Sequence, residues 1–210
     1  FEDPAFMADN SGSAQHQGWN AYTSHVLRAN SGDDGITSAG GSAHAIIDTN
    51  TTSTFTGAFS RLGGYSNNFG DGFVVSTDIY IDLSAPGVAN DTYGWDLSVA
   101  ANRQSGSHLR DFIFHAASDA SGNVLIGGSN NSNFTRRNDL ASINSYSIAS
   151  SGWYTFEWNF RDSAGALAVD LILRDAAGNF LWKETRYNAA DLIATIAGGN
   201  RYMWFTFLAT

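Results

Sequence analysis

The sequence predicts an all-β chain, an antiparallel two-sheet β-sandwich of jelly-roll type, and three observations predict it. Apolar residues recur with a period of two in segment after segment, the mark of strands with one buried and one accessible face. Asp-x-x-Gly connections join several of these segments, with Asp holding its own backbone and Gly taking the positive φ angle of a tight hairpin. Roughly ten strands or more accompany one short helical pattern, and two packed antiparallel sheets are the usual solution at this size. A chain of 210 residues with 43% hydrophobic content is expected to form one domain over residues 1–210.

The elements follow in order. Residues 1–45 are polar, rich in Gly and Ser and weakly periodic, with a short strand expected at 24–28. A strand at 54–61 ends at the Gly63-Gly64 break. Residues 73–82 alternate well, placing Phe73, Val75, Ile79 and Ile81 inward and Ser76, Asp78, Tyr80 and Asp82 outward. Strands at 95–100 and 108–115 continue the pattern, and one at 124–127 follows the turn 119–123. In the strand at 108–115, His108 and Arg110 share a face with Phe112 and Phe114, whereas Asp111 and His115 lie on the other.

The clearest strand is 153–161. Tyr154, Phe156, Trp158 and Phe160 make one face wholly aromatic; Trp153, Thr155, Glu157, Asn159 and Arg161 make the other polar. Hairpin turns at 162–165 and 175–179 connect it to strands at 167–174 and 180–186. A helical turn is expected at 189–197, entered after Asn188, and an aromatic-rich strand at 201–208 closes the chain.

The net charge of -9 argues against a nucleic-acid partner, which needs a basic patch to neutralise phosphates. No segment is long and apolar enough to insert into a membrane as a helix. The chain has no Cys, which removes disulfides and thiolate metal sites. Low Lys, with Lys183 alone, and abundant Gly, Ser, Asn and Thr resemble secreted bacterial proteins, so an extracellular location is expected. The start at Phe1 without a signal-peptide pattern suggests a mature product or an excised domain.

The polar face at 153–161 directs the functional reading. An acid, an amide, a guanidinium and an indole on one accessible sheet suit a saccharide, whose C–H face stacks on aromatic rings while polar side chains take its hydroxyls. The expected ligand-binding residues are Trp153, Glu157, Asn159, Arg161, Tyr80, Asp78, Arg110 and Trp204, with Trp95 and Tyr202 as further aromatic platforms. Cleavage in the same groove is the alternative. Glycosidases place two carboxylates about 5 Å apart or roughly 6.5–9.5 Å apart, and Glu157 with Asp78 or Asp170 could supply them. A lyase needs a cation for the uronate and a base for the α proton, roles open to Arg110 with His108 or Tyr80. The catalytic candidates are therefore Glu157, His108, Arg110 and Asp78. Cross-strand ion pairs are the ordinary role of such residues. A structural extracellular or filament subunit is the third reading.

Residues 63–82, 108–115, 151–171 and 198–205 together resemble a bacterial extracellular module of the concanavalin A-like lectin/glucanase type, over roughly residues 40–208. The resemblance implies the fold and a glycan context rather than a reaction. The chain lacks the Glu-x-Asp-x-x-Glu or Glu-x-Asp-x-Glu strand motif of hydrolases with this fold, and the Arg-x-Glu-x-Arg and Gln-Ile-His motifs of jelly-roll alginate lyases. Glu2 and Asp3 resemble the amino-terminal acidic pair that supplies Ca²⁺ ligands in many sandwich modules, so a structural Ca²⁺ is a further expectation, with Asp33, Asp34 and Asp71 as other oxygen-rich loop positions.

Overall fold

Alternation in the sequence becomes a set of wholly antiparallel sheets in the computed structural model, which describes residues 19–21, 25–47, 54–60, 72–103, 105, 107–130, 136–192, 196–198 and 203–208. An eight-stranded sheet runs in the order β1 (Trp19–Ala21), β4 (Phe55–Ser60), β14 (Met203–Phe207), β6 (Gly94–Arg103), β7 (His108–Ser118), β8 (Val124–Asn130) and β9 (Ser145–Ser147), and β13 (Ile196–Gly198) pairs with β6. A four-stranded sheet runs β12 (Phe180–Leu192), β11 (Ala166–Asp175), β10 (Gly152–Ser163), β5 (Gly72–Ile81). A separate two-stranded ribbon joins β2 (Val26–Asn30) to β3 (Ala43–Ile47). The described residues contain no α-helix, only short 3-10 turns at Asp33–Gly35 and Leu140–Ser142.

The two larger sheets pack through the aromatic face of β10. Phe156 and Trp158 are completely buried, and Tyr154 and Phe160 nearly so. Phe156 meets Trp95 of β6 and Phe114 of β7 edge to face, at ring separations of 5.4 and 5.0 Å. Trp158 meets Phe114 at 4.8 Å, and its indole N–H donates to the Phe112 carbonyl at 3.0 Å, so the one polar atom of this large side chain is satisfied across the core.

The sheets close differently at their two edges. Beside β8, Gly128 faces inward, and a Cβ there would lie 2.7 Å from Leu171 Cδ1, so only glycine lets β11 and β12 come this close. Arg186 of β12 also donates to Asn130 Oδ1 of β8 at 3.0 Å. At the β5 edge the gap between sheets is instead flanked by the β2–β3 ribbon, which creates the cavity described below.

The Asp-x-x-Gly turns behave as expected. Asp119 Oδ1 accepts the N–H groups of Ser121 and Asn123 at 2.9 and 3.0 Å, and Asp175 Oδ1 accepts those of Ala177 and Asn179 at 2.9 and 2.8 Å. The helical turn expected at 189–197 is a misreading. β12 continues through Leu192, where Leu192 pairs with Ala166, and 196–198 form β13. The helix preference of Ala and Leu amounts to a few tenths of a kcal/mol per residue, and pairing with a neighbouring strand outweighs it.

Replacing Phe156 by Ala removes the ring shared by β6, β7 and β10 and should lower the unfolding free energy by about 3–5 kcal/mol in urea titration. A loss below about 1 kcal/mol would show that the sheets are not held together at this ring.

Candidate functional site

Register places the outward residues of the four-stranded sheet in rows. Trp153 lies opposite Tyr80, Thr155 between Asp78 and Arg174, Glu157 between Ser76 and Ile172, Asn159 between Val74 and Asp170. The charged members of this face are engaged with one another. Arg161 donates twice to Asp170, at 2.8 and 3.0 Å, and Thr185 donates to the same carboxylate at 2.6 Å. The Arg161 guanidinium holds the Asp170 carboxyl below the usual carboxylate range, against the opposing effect of burial. Glu157 pairs with Arg174 at 3.2 Å, and Asp78 accepts the Thr155 hydroxyl at 2.6 Å. Glu157 and Asp78 therefore sit diagonally on one face, each with its own partner.

Other sequence candidates lie elsewhere. His108 and Arg110 belong to β7 of the eight-stranded sheet, where His108 Nε2 lies 3.2 Å from Asp111. Trp204 is on β14, opposite Ser98 of β6, and Trp95 is a core side chain. Glu2, Asp3, Asp71 and Tyr202 lie outside the described residues. Asp33 accepts the Asn30 N–H at 2.8 Å within the ribbon's turn. Among the described residues no three His, Asp or Glu side chains converge as a metal-ligand group.

Three candidates do converge, at the β5 edge. A cavity of about 820 Å³ opens between the β2–β3 ribbon and the ends of β5 and β10, with Tyr80, Asp78 and Trp153 in its lining. Its floor is apolar and reaches the core through Ile79, Trp95, Leu97 and Phe205; Asp34 and Asp82 add two carboxylates to that of Asp78. Trp153 is anchored rather than free. Its indole N–H donates to the Thr37 carbonyl at 2.7 Å, and its ring meets Tyr80 and His44 edge to face.

His44 is the member of this group that sequence reasoning missed. It is buried, its Nδ1 lies 3.0 Å from the Ser38 hydroxyl, and its Nε2 has no hydrogen-bond partner among the described residues. A buried nitrogen without a partner is costly, which marks His44 as a strained position in the cavity wall. Tyr93, also in the lining, accepts the Trp95 N–H at 2.8 Å; burial pushes its phenol up to about 12, so it stays neutral at physiological pH. The only sequence signal for His44 was a lone His in an Ala- and Ile-rich run, ordinarily a core position.

A second cluster was also missed. On the outer face of the eight-stranded sheet, Asp96, His115 and Ser129 form a buried hydrogen-bonded chain across β6, β7 and β8. No protein-family model matches this chain, and no curated protein is significantly similar to it.

Asp170→Asn leaves Arg161 with a neutral partner and should cost about 1–3 kcal/mol at pH 7. Because the folded-state pKa of Asp170 is lowered, its contribution is complete above the unfolded value, near 4, and is lost as pH falls through the folded value. Urea titrations should therefore show the gap between wild type and variant shrinking below about pH 4; a gap independent of pH would remove the ion pair as its cause.

Proposed function

We propose that this chain is an extracellular carbohydrate-binding module of the jelly-roll, concanavalin A-like type, and that it holds a neutral saccharide of a polysaccharide in the cavity at the β5 edge. The carrying observation is the meeting, in the lining of one cavity of about 820 Å³, of the aromatic residues Tyr80 and Trp153 with the acids Asp34, Asp78 and Asp82. Pockets of this size with an apolar wall and a few placed polar groups are the common form of a small-ligand site. The rings and apolar wall cover the C–H face of a pyranose. The carboxylates accept from its hydroxyls.

Charge narrows the ligand. Three carboxylates at the cavity within a chain of net charge -9 repel uronic and sulfated glycans, so the reading favours neutral sugars. Of the carboxylate pair the sequence suggested for cleavage, Asp78 lines the cavity whereas Glu157 lies outside it and is paired with Arg174, so these two acids do not meet there. The sandwich part of this reading is supported by the two packed antiparallel sheets. A Ca²⁺ held by Glu2 and Asp3 would be structural in this reading.

Calorimetric titration with neutral, uronic and sulfated oligosaccharides, with and without Ca²⁺, tests the proposal. Neutral chains should bind and charged ones should not, and Tyr80→Ala should weaken binding about tenfold, equal to about 1.4 kcal/mol. Binding of apolar dyes or fatty acids with no glycan bound would overturn the saccharide reading.

A further inference from the structure

We propose that Ser129, His115 and Asp96 form a nucleophilic site for small acyl esters on the outer face of the eight-stranded sheet, away from the saccharide cavity. Register builds the row. Asp96 of β6 lies directly opposite His115 of β7, and His115 lies opposite Gly127 of β8, with Ser129 two residues further along on the same face. His115 Nδ1 is 2.5 Å from Asp96 Oδ1 and its Nε2 is 2.6 Å from Ser129 Oγ.

With an ionised Asp96 carboxylate and a neutral imidazole, Nδ1 carries the hydrogen shared with Asp96 and Nε2 accepts from the Ser129 hydroxyl. That is the tautomer and orientation a general base needs beside a serine nucleophile, recognised by roles and geometry rather than by chain order. Outward positions of a sheet are ordinarily either wet or apolar. Here Asp96, His115 and Ser129 are 3%, 1% and 6% exposed, so all three are buried and an ester must displace neighbouring side chains to reach Ser129 Oγ.

Surroundings limit the substrate. A Cβ at Gly127 would lie 2.8 Å from Leu140 Cδ2 and 3.7 Å from Ile143 Cδ1, so these two side chains close the site beside the imidazole. Packing this close disfavours a long acyl chain, so acetyl is the acyl group tested below. In the reaction, Ser129 Oγ forms a bond to the ester carbonyl carbon while its proton passes to His115 Nε2. Collapse breaks the carbon–oxygen bond to the alcohol, which leaves with that proton. Water then repeats the sequence on the acyl-serine, giving the carboxylic acid and free Ser129, with Asp96 holding Nδ1–H throughout.

The full chain is treated with a small alkyl fluorophosphonate, and its peptides are weighed by mass spectrometry. The expected result is one adduct on the peptide carrying Ser129, absent in Ser129→Ala and formed about a hundredfold more slowly in His115→Gln. Hydrolysis of p-nitrophenyl acetate should follow the same order. Wild-type protein with an intact β-sheet circular dichroism spectrum that takes no label at Ser129 would overturn the proposal and make the row a structural hydrogen-bond chain. Equal labelling rates in wild type and a folded His115→Gln variant would also overturn it.

Discussion

The aromatic face of β10 is the contact on which the remaining structure depends. Phe156 and Trp158 insert between β6 and β7 and bury their rings completely, so the two larger sheets share one core. Each ring removes a large apolar area from water, and edge-to-face geometry adds to that gain. The constraint reaches further than stability. Once the inward parity of β10 is set, Trp153, Glu157 and Arg161 must point outward, and β5 and β11 must present Asp78, Tyr80, Asp170 and Arg174 beside them.

That dependence explains which parts were legible in the sequence. The faces of β5, β7 and β10 could be read because period-two alternation is a local property of the chain, and the Asp-x-x-Gly turns because their hydrogen bonds close within five residues. The carboxyl-terminal part of β12 was not, since Ala189, Ala190 and Leu192 carry a helical preference and their strand state depends on pairing with β11. The cavity was only half legible. Tyr80, Asp78 and Trp153 stood out on alternating strands, but His44 and Asp34 reach them through the docking of a ribbon that is remote in sequence, with Trp153 bonded to Thr37 across 116 positions.

Alternation also has a blind side. It separates two faces but does not say whether the outward face meets water, and on the two sheets the answers differ. On the four-stranded sheet several outward carboxylates are engaged by neighbouring side chains, as Asp170 is by Arg161, Lys183 and Thr185. Partly exposed pairs of this kind add little individually, and they use the acids that a glycosidase would need free. On the eight-stranded sheet the outward residues Asp96, His115 and Ser129 are buried, where an unsatisfied polar group is expensive, so their mutual hydrogen bonds carry much greater weight.

The two proposed sites meet at three consecutive residues. Trp95 and Leu97 face inward and line the cavity, whereas Asp96 between them faces outward and orients His115. One strand thus carries the floor of the first site and the acid of the second on opposite sides of a single backbone layer. Substitution at Trp95 or Leu97 would shift that backbone and disturb both, whatever either site does. Tyr80 and Asp78 belong to β5, and Ser129 to β8, strands of different sheets that flank opposite edges of the core. Distance and separate packing make effects at these positions close to additive, which is the condition for assigning a change in ligand affinity to one site and a change in serine reactivity to the other.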